Sequence, residues 1–182
     1  VEASTGKERW VSEEHSHGNP VGVLAECGNL VLSGSNDKTV RCVEASTGKE
    51  KWVSEKHIHG VTALAVCGDL VISGSRDNTV RCVEASTGET RCVGKFDAAP
   101  HSLCGYKGFV ICGLPNGAIL LLDPSSDLRT VCTIAAGDTT GHHNQKITAL
   151  AIDGDTLDGH FGKGVKQVND TKLDEYVFCF SV

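Results

Sequence analysis

Apolar residues in this chain fall into short runs, each closed by Gly, Asp, Asn or Ser. Val61–Cys67 (VTALAVC) ends at Gly68-Asp69, and Leu70–Ser75 (LVISGS) ends at Arg76-Asp77-Asn78. Thr79–Glu84 (TVRCVE) ends at Ser86-Thr87-Gly88. Runs of this length, rich in β-branched residues and bounded by turn formers, predict strands. Asp and Asn suit the tight turns because they tolerate left-handed dihedrals and bond their own backbone. Lys51–Glu55 predicts a fourth strand, the most polar of the set. The runs are too short and too punctuated for a 3.6-residue period. Four short antiparallel strands in a meander follow.

The meander recurs. Val1–Cys42 opens with VEASTGKERW and closes with GNLVLSGSNDKTVRC, while Val43–Cys82 opens with VEASTGKEKW and closes with GDLVISGSRDNTVRC. A third unit, 83–128, opens with VEASTGETRC, its first strand entered by Pro100. A fourth, 129–182, holds Lys146–Ile152, Val165–Val168 and Glu175–Val182. The first unit carries an extra Asn19-Pro20 beside Gly18. A tandem period of about forty residues marks a repeat architecture. One twisted sheet of that size cannot bury both faces, but radial stacking buries them against one another. The expectation is an all-β fold, a single β-propeller repeat region over 1–182. It has about four tandem four-stranded antiparallel blades, a partial or small propeller. Four blades lie at the low end for closure. Either the chain is a piece of a longer protein, or two copies pair into one ring, or four blades close alone. Methionine is absent and the chain starts in mid-repeat, at the phase of Val43 and Val83, which favours a partial molecule.

Charge and cysteine usage narrow the setting. A net charge of −6 argues against a duplex nucleic-acid binder. No apolar run approaches the roughly 18 residues of a membrane helix. The nine cysteines are Cys27, Cys42, Cys67, Cys82, Cys92, Cys104, Cys112, Cys132 and Cys179, with no C-x-x-C pair. Cys27 matches Cys67, and Cys42 matches Cys82, across the repeat, as small buried hydrophobes would. An odd count without paired spacing favours reduced thiols and a cytoplasmic location.

Ser33–Arg41 (SGSNDKTVR) and Ser73–Arg81 (SGSRDNTVR) resemble the second-strand, turn and third-strand signature of WD-repeat propellers. That resemblance implies a turn network of an Asp, a loop His, a Ser and a Trp. Asp37 and Asp77, His57 and His15, Ser35 and Ser75 would supply it, whereas Val43 and Val83 stand at the Trp position. EASTGKERW (Glu2–Trp10) and EASTGKEKW (Glu44–Trp52) also resemble the tryptophan-docking repeat of quinoprotein-type propellers. There Trp10 and Trp52 would lock neighbouring blades, with Cys92 replacing the third Trp.

Chemistry is sparse. His15-Ser16-His17 and His57-Ile58-His59 set alternate imidazoles on one side of an extended segment, but no third ligand recurs. Asp153-Gly154-Asp155 lacks the acid spacing of a calcium loop, and Gly162-Lys163-Gly164 is too short for a phosphate loop. No metal, cofactor or catalytic residue is expected. Arg41 and Arg81 recur once per blade and, with His142 and His143 in the divergent Gly137–Gln145 loop, are partner-binding candidates. The other divergent loop is Asp97–His101. The expected function is a non-catalytic scaffold that binds protein partners through propeller-face loops. The alternative is a quinoprotein-type propeller domain of an oxidoreductase.

Overall fold

The computed structural model describes residues 17–134, together with Glu8, Trp10 and two strand pieces near the C-terminal end. It contains three four-stranded antiparallel meanders, each ordered first to fourth strand. The first is β1 (Val21–Cys27), β2 (Leu30–Ser35), β3 (Val40–Glu44) and β4 (Glu50–Val53). The second is β5 (Val61–Cys67), β6 (Leu70–Ser75), β7 (Thr79–Glu84) and β8 (Thr90–Lys95). The third is β9 (Ser102–Tyr106), β10 (Phe109–Gly113), β11 (Ile119–Asp123) and β12 (Arg129–Ile134), with a 3-10 turn at Pro124–Ser126. Of the expected fourth blade, the described part is β13 (Ala149–Leu150) paired with β14 (Cys179–Phe180). Val165–Val168 lies outside the described residues.

Among the described residues three complete sheets therefore stand where about four were expected, and the partial-propeller architecture holds. Each sheet straddles a repeat junction: the VEASTGKEKW segment closes the first sheet and VEASTGETRC closes the second. Pro100 lies two residues ahead of β9, fully buried, where it packs on Gly74 as Val61 packs on Gly34.

Alternation along the strands gives each sheet two apolar faces, and the sheets stack on them. Leu32, Val40, Cys42 and Trp52 of the first sheet meet Val71, Val83 and Ala85 of the second. Ile72, Val80, Cys82 and Cys92, on the opposite face of the second sheet, meet Leu103, Val110, Cys112, Leu120 and Leu122 of the third. The first strands of successive sheets also touch, β1 on β5 and β5 on β9, which sets them nearest the axis. Every sheet therefore has a turn end carrying its second-to-third-strand turn and the loop from the previous sheet. The opposite, hairpin end carries its other two connections.

Candidate functional site

The turn end is built from the SGSxDxT segments. Asp77 follows Ser75, whose hydroxyl accepts from Asp77 N at 3.2 Å and donates to His59 O at 2.9 Å. Asp77 Oδ1 accepts from Thr79 N at 2.9 Å and from Thr79 Oγ1 at 2.5 Å, closing the turn. Asn78 can then sit at φ 65°, in the left-handed region. The turn next captures the incoming loop. Asp77 Oδ2 accepts from Ile58 N at 2.8 Å and from His57 Nδ1 at 3.2 Å. On the far side of the ring, Ser73 Oγ lies 2.9 Å from His57 Nε2. A neutral ring protonated on Nδ1 satisfies both contacts: Nδ1 donates to the carboxylate and Nε2 accepts from Ser73. Burial holds the His57 pKa below its ordinary value, against the opposing pull of Asp77. Burial alone would raise Asp77, but the hydrogen bonds from Thr79 and Ile58 outweigh it and bring it to about 2.

The first sheet repeats this arrangement with a different histidine. His17 Nδ1 lies 2.7 Å from Asp37 Oδ2, and His17 Nε2 lies 2.8 Å from Ser33 Oγ. His15, expected in this role, lies outside the described residues. His17 stands 20 residues before Asp37, as His57 stands 20 before Asp77, so the segment from histidine to turn is uninterrupted. The extra residues of the first repeat accordingly fall between Trp10 and His17, not at Asn19-Pro20. Ser35 and Ser75 also differ from expectation. They brace the turn backbone, and the serines on the imidazoles are Ser33 and Ser73, one strand alternation earlier. Asp37 is likewise brought to about 2, since the bonds from Thr39 and the contact with His17 overcome its burial.

The third sheet fills the same place with apolar groups. Phe96 N donates to Asn78 O at 2.8 Å, as His57 N donates to Lys38 O at 2.9 Å, so Phe96 occupies the histidine position. In register, Cys112 and Leu120 face each other where Ser73 and Arg81 do in the second sheet. Asn116 Oδ1 keeps only the turn, accepting from Ala118 N.

The hairpin end carries the tryptophans. Trp52 Nε1 donates to Ala85 O at 2.9 Å, and Trp10 Nε1 donates to Ala45 O at 3.0 Å. Each indole lies over a glycine of positive φ, Gly88 or Gly48, at which a Cβ would fall within 2.7 Å or 2.3 Å of the ring. Cys92 stands at the third indole position, with Sγ 3.9 Å from Pro124 O. The matching turn places Asp127 at φ 51°, where no indole covers it. The turn locks and the indole locks thus occupy opposite ends of the same blades, which explains why two propeller signatures overlap in one sequence.

Carboxylate, imidazole and serine in this order can activate a nucleophile elsewhere. Here His57 is 2% and Ser73 3% exposed, so a substrate has no approach and the trio acts as a fastening. Arg41 and Arg81 do not form an open basic ring. Their Nη1 atoms lie 2.9 Å from Glu50 and 3.5 Å from Glu55, and both side chains are mostly covered. His142 and His143 lie outside the described residues. Among the described residues no His, Cys, Asp and Glu cluster is arranged to hold a metal ion, and no helix is long and apolar enough to cross a membrane.

A family model described as outer membrane protein assembly factor BamB matches residues 1–99. No curated protein sequence matches the chain. Among solved structures, the computationally designed Ika8 protein is similar at 25% identity and TM-score 0.66, over 78% of this chain and 42% of that one. The WD40 repeats of RRP9 are similar at 15% identity and TM-score 0.66, over 74% of this chain and 42% of that one. BamB from Moraxella catarrhalis is similar at 18% identity and TM-score 0.57, over 63% of this chain and 35% of that one. The chain thus spans less than half the length of these three structures.

Proposed function

The chain belongs to the family described as outer membrane protein assembly factor BamB, and on that premise we propose that it is a non-catalytic scaffold whose turn-end loops bind protein partners. The observation that carries this reading is the pair of His–Asp locks. They hold the loop entering each of the first two sheets against that sheet's own turn. A loop fixed at its base presents its tip without a further ordering cost, which is how rigid scaffolds carry binding residues. Ile58, directly after His57, is 69% exposed and projects from such a base. Asp97 follows Phe96 at the matching place on the third sheet and is exposed. The odd cysteine count without paired spacing supports a cytoplasmic setting for the same scaffold.

A photo-crosslinking amino acid placed at Ile58 or Asp97 tests the proposal in cells. Asn29, exposed at the hairpin end, serves as the control position. Discrete protein adducts at the first two positions and not at the third are expected. Equal labelling at all three, or a visible absorbance band from a tightly held redox cofactor in the purified protein, overturns the reading.

A further inference from the structure

Of the thiols in the described strands, two face each other in register. Cys82 on β7 pairs with Cys92 on β8. The equivalent pairs are Cys42 with Trp52 in the first sheet and Leu121 with Cys132 in the third. Elsewhere Cys27, Cys67, Cys104 and Cys112 sit opposite Leu30, Leu70, Ile111 and Leu103. Both thiols of the Cys82–Cys92 pair point into the same cluster between the second and third sheets. Directly opposed residues of an antiparallel pair have Cα atoms roughly 4.5 to 5.5 Å apart. Disulfides span about 4.4 to 6.8 Å, so direct opposition sets the two backbones within the span a disulfide bridges.

We propose that Cys82 and Cys92 form a reversible cross-strand disulfide that latches the outermost strand of the second sheet to its neighbour. The co-reactant is a small-molecule disulfide. Cys92 lies on the outer strand between the exposed Arg91 and Val93, whereas Cys82 is wholly enclosed, so Cys92 reacts first. Its thiol loses a proton and attacks one sulfur of the small disulfide. That S–S bond breaks, a mixed disulfide forms on Cys92, and one small thiol leaves. Cys82 then loses its proton and attacks the Cys92 sulfur, expelling the second small thiol. Two cysteine thiols are oxidised and one small disulfide is reduced to two thiols.

Burial raises the pKa of both groups, so the closed protein supplies little thiolate. Reaction therefore waits on excursions in which β8 loosens. An edge strand opens at lower free energy than the whole fold. The disulfide, once closed, suppresses those excursions.

Trypsin separates the two cysteines, since cleavage at Arg81, Arg91 and Lys95 yields residues 82–91 and 92–95 with one cysteine each. Folded protein is incubated with oxidised glutathione, its remaining thiols are alkylated, and the digest is analysed without reduction. The expected result is a joined 82–91/92–95 species that dithiothreitol abolishes. It should form several-fold faster in mild denaturant, and amide exchange along β8 should slow in the oxidised protein. Cys92→Ser should abolish the species. If that variant does not fold, the wild-type peptide map decides alone. Recovery of both peptides alkylated after refolding in oxidised glutathione, or of Cys82 linked to Cys67 or Cys112, overturns the proposal.

Discussion

At the scale of single residues, His57 and Asp77 set how the molecule responds to acid. His57 is neutral and enclosed, with its pKa depressed by burial. The unfolded chain's imidazole takes a proton near pH 6.5 and the folded one resists it. The unfolded state then binds more protons, so stability falls as pH drops from 7 to 5. Asp77 and Asp37, each near 2, contribute in a lower window. Their stabilisation is complete above the ordinary carboxylate range and is lost as pH falls from about 4 towards 2. His57→Phe places at the second sheet the ring that the third sheet already uses. It should flatten the pH 7-to-5 decline in thermal stability. It should also cost roughly 2 to 4 kcal/mol at neutral pH, because Asp77 and Ser73 lose a buried partner. Thermal melts of both proteins across that range check this; an unchanged slope would sink the assignment of the acid response to His57.

At the scale of elements, the strands, their order and the turn residues were legible in the sequence. The SGSxDxT segments dictate turn chemistry, and apolar runs between Gly-Asp and Asp-Asn boundaries leave few other structures open. The side-chain partners were less legible. The family resemblance points to His15, yet counting back from Asp37 by the interval between His57 and Asp77 reaches His17. The glutamates on Arg41 and Arg81 were invisible because one comes from the next strand and the other from the loop entering the second sheet. The apolar set Phe96, Cys112 and Leu120 shares no residue type with His57, Ser73 and Arg81, so only register aligns them. The third docking position shows the same logic and yields a prediction. Leu128 is buried in the cluster that holds Cys92, on a turn without the glycine that Trp52 requires. Cys92→Trp should therefore overpack the junction and destabilise by about 1 to 3 kcal/mol. Adding Leu128→Ala should recover part of that loss. Denaturant melts of the two singles and the double measure the coupling, and strict additivity would mean that the two side chains do not compete for one space.

At the scale of the whole molecule, each sheet is stable only through its neighbours, so a broken junction should loosen one side more than the other. The first two sheets share an apolar interface, the His57 lock, bonded through its backbone N–H to Lys38 O, at one end and the Trp52 lock at the other. The second and third share a separate apolar interface that contains neither lock. Among the described residues, Leu24 on the outer side of the first sheet is 68% exposed, while the matching Leu64 packs against the first sheet. Trp52→Ala removes a large buried side chain and one hydrogen bond, a loss of about 3 to 5 kcal/mol where it acts. The loss should concentrate in the first sheet. Amides of β2 and β3 should exchange faster by two orders of magnitude or more, while those of β10 and β11 stay near their original rates. Hydrogen exchange followed by peptide mass analysis reads both sets in one experiment. If all three sheets lost protection equally, the repeat would behave as one cooperative block, and the picture of junctions that fail one at a time would have to be abandoned.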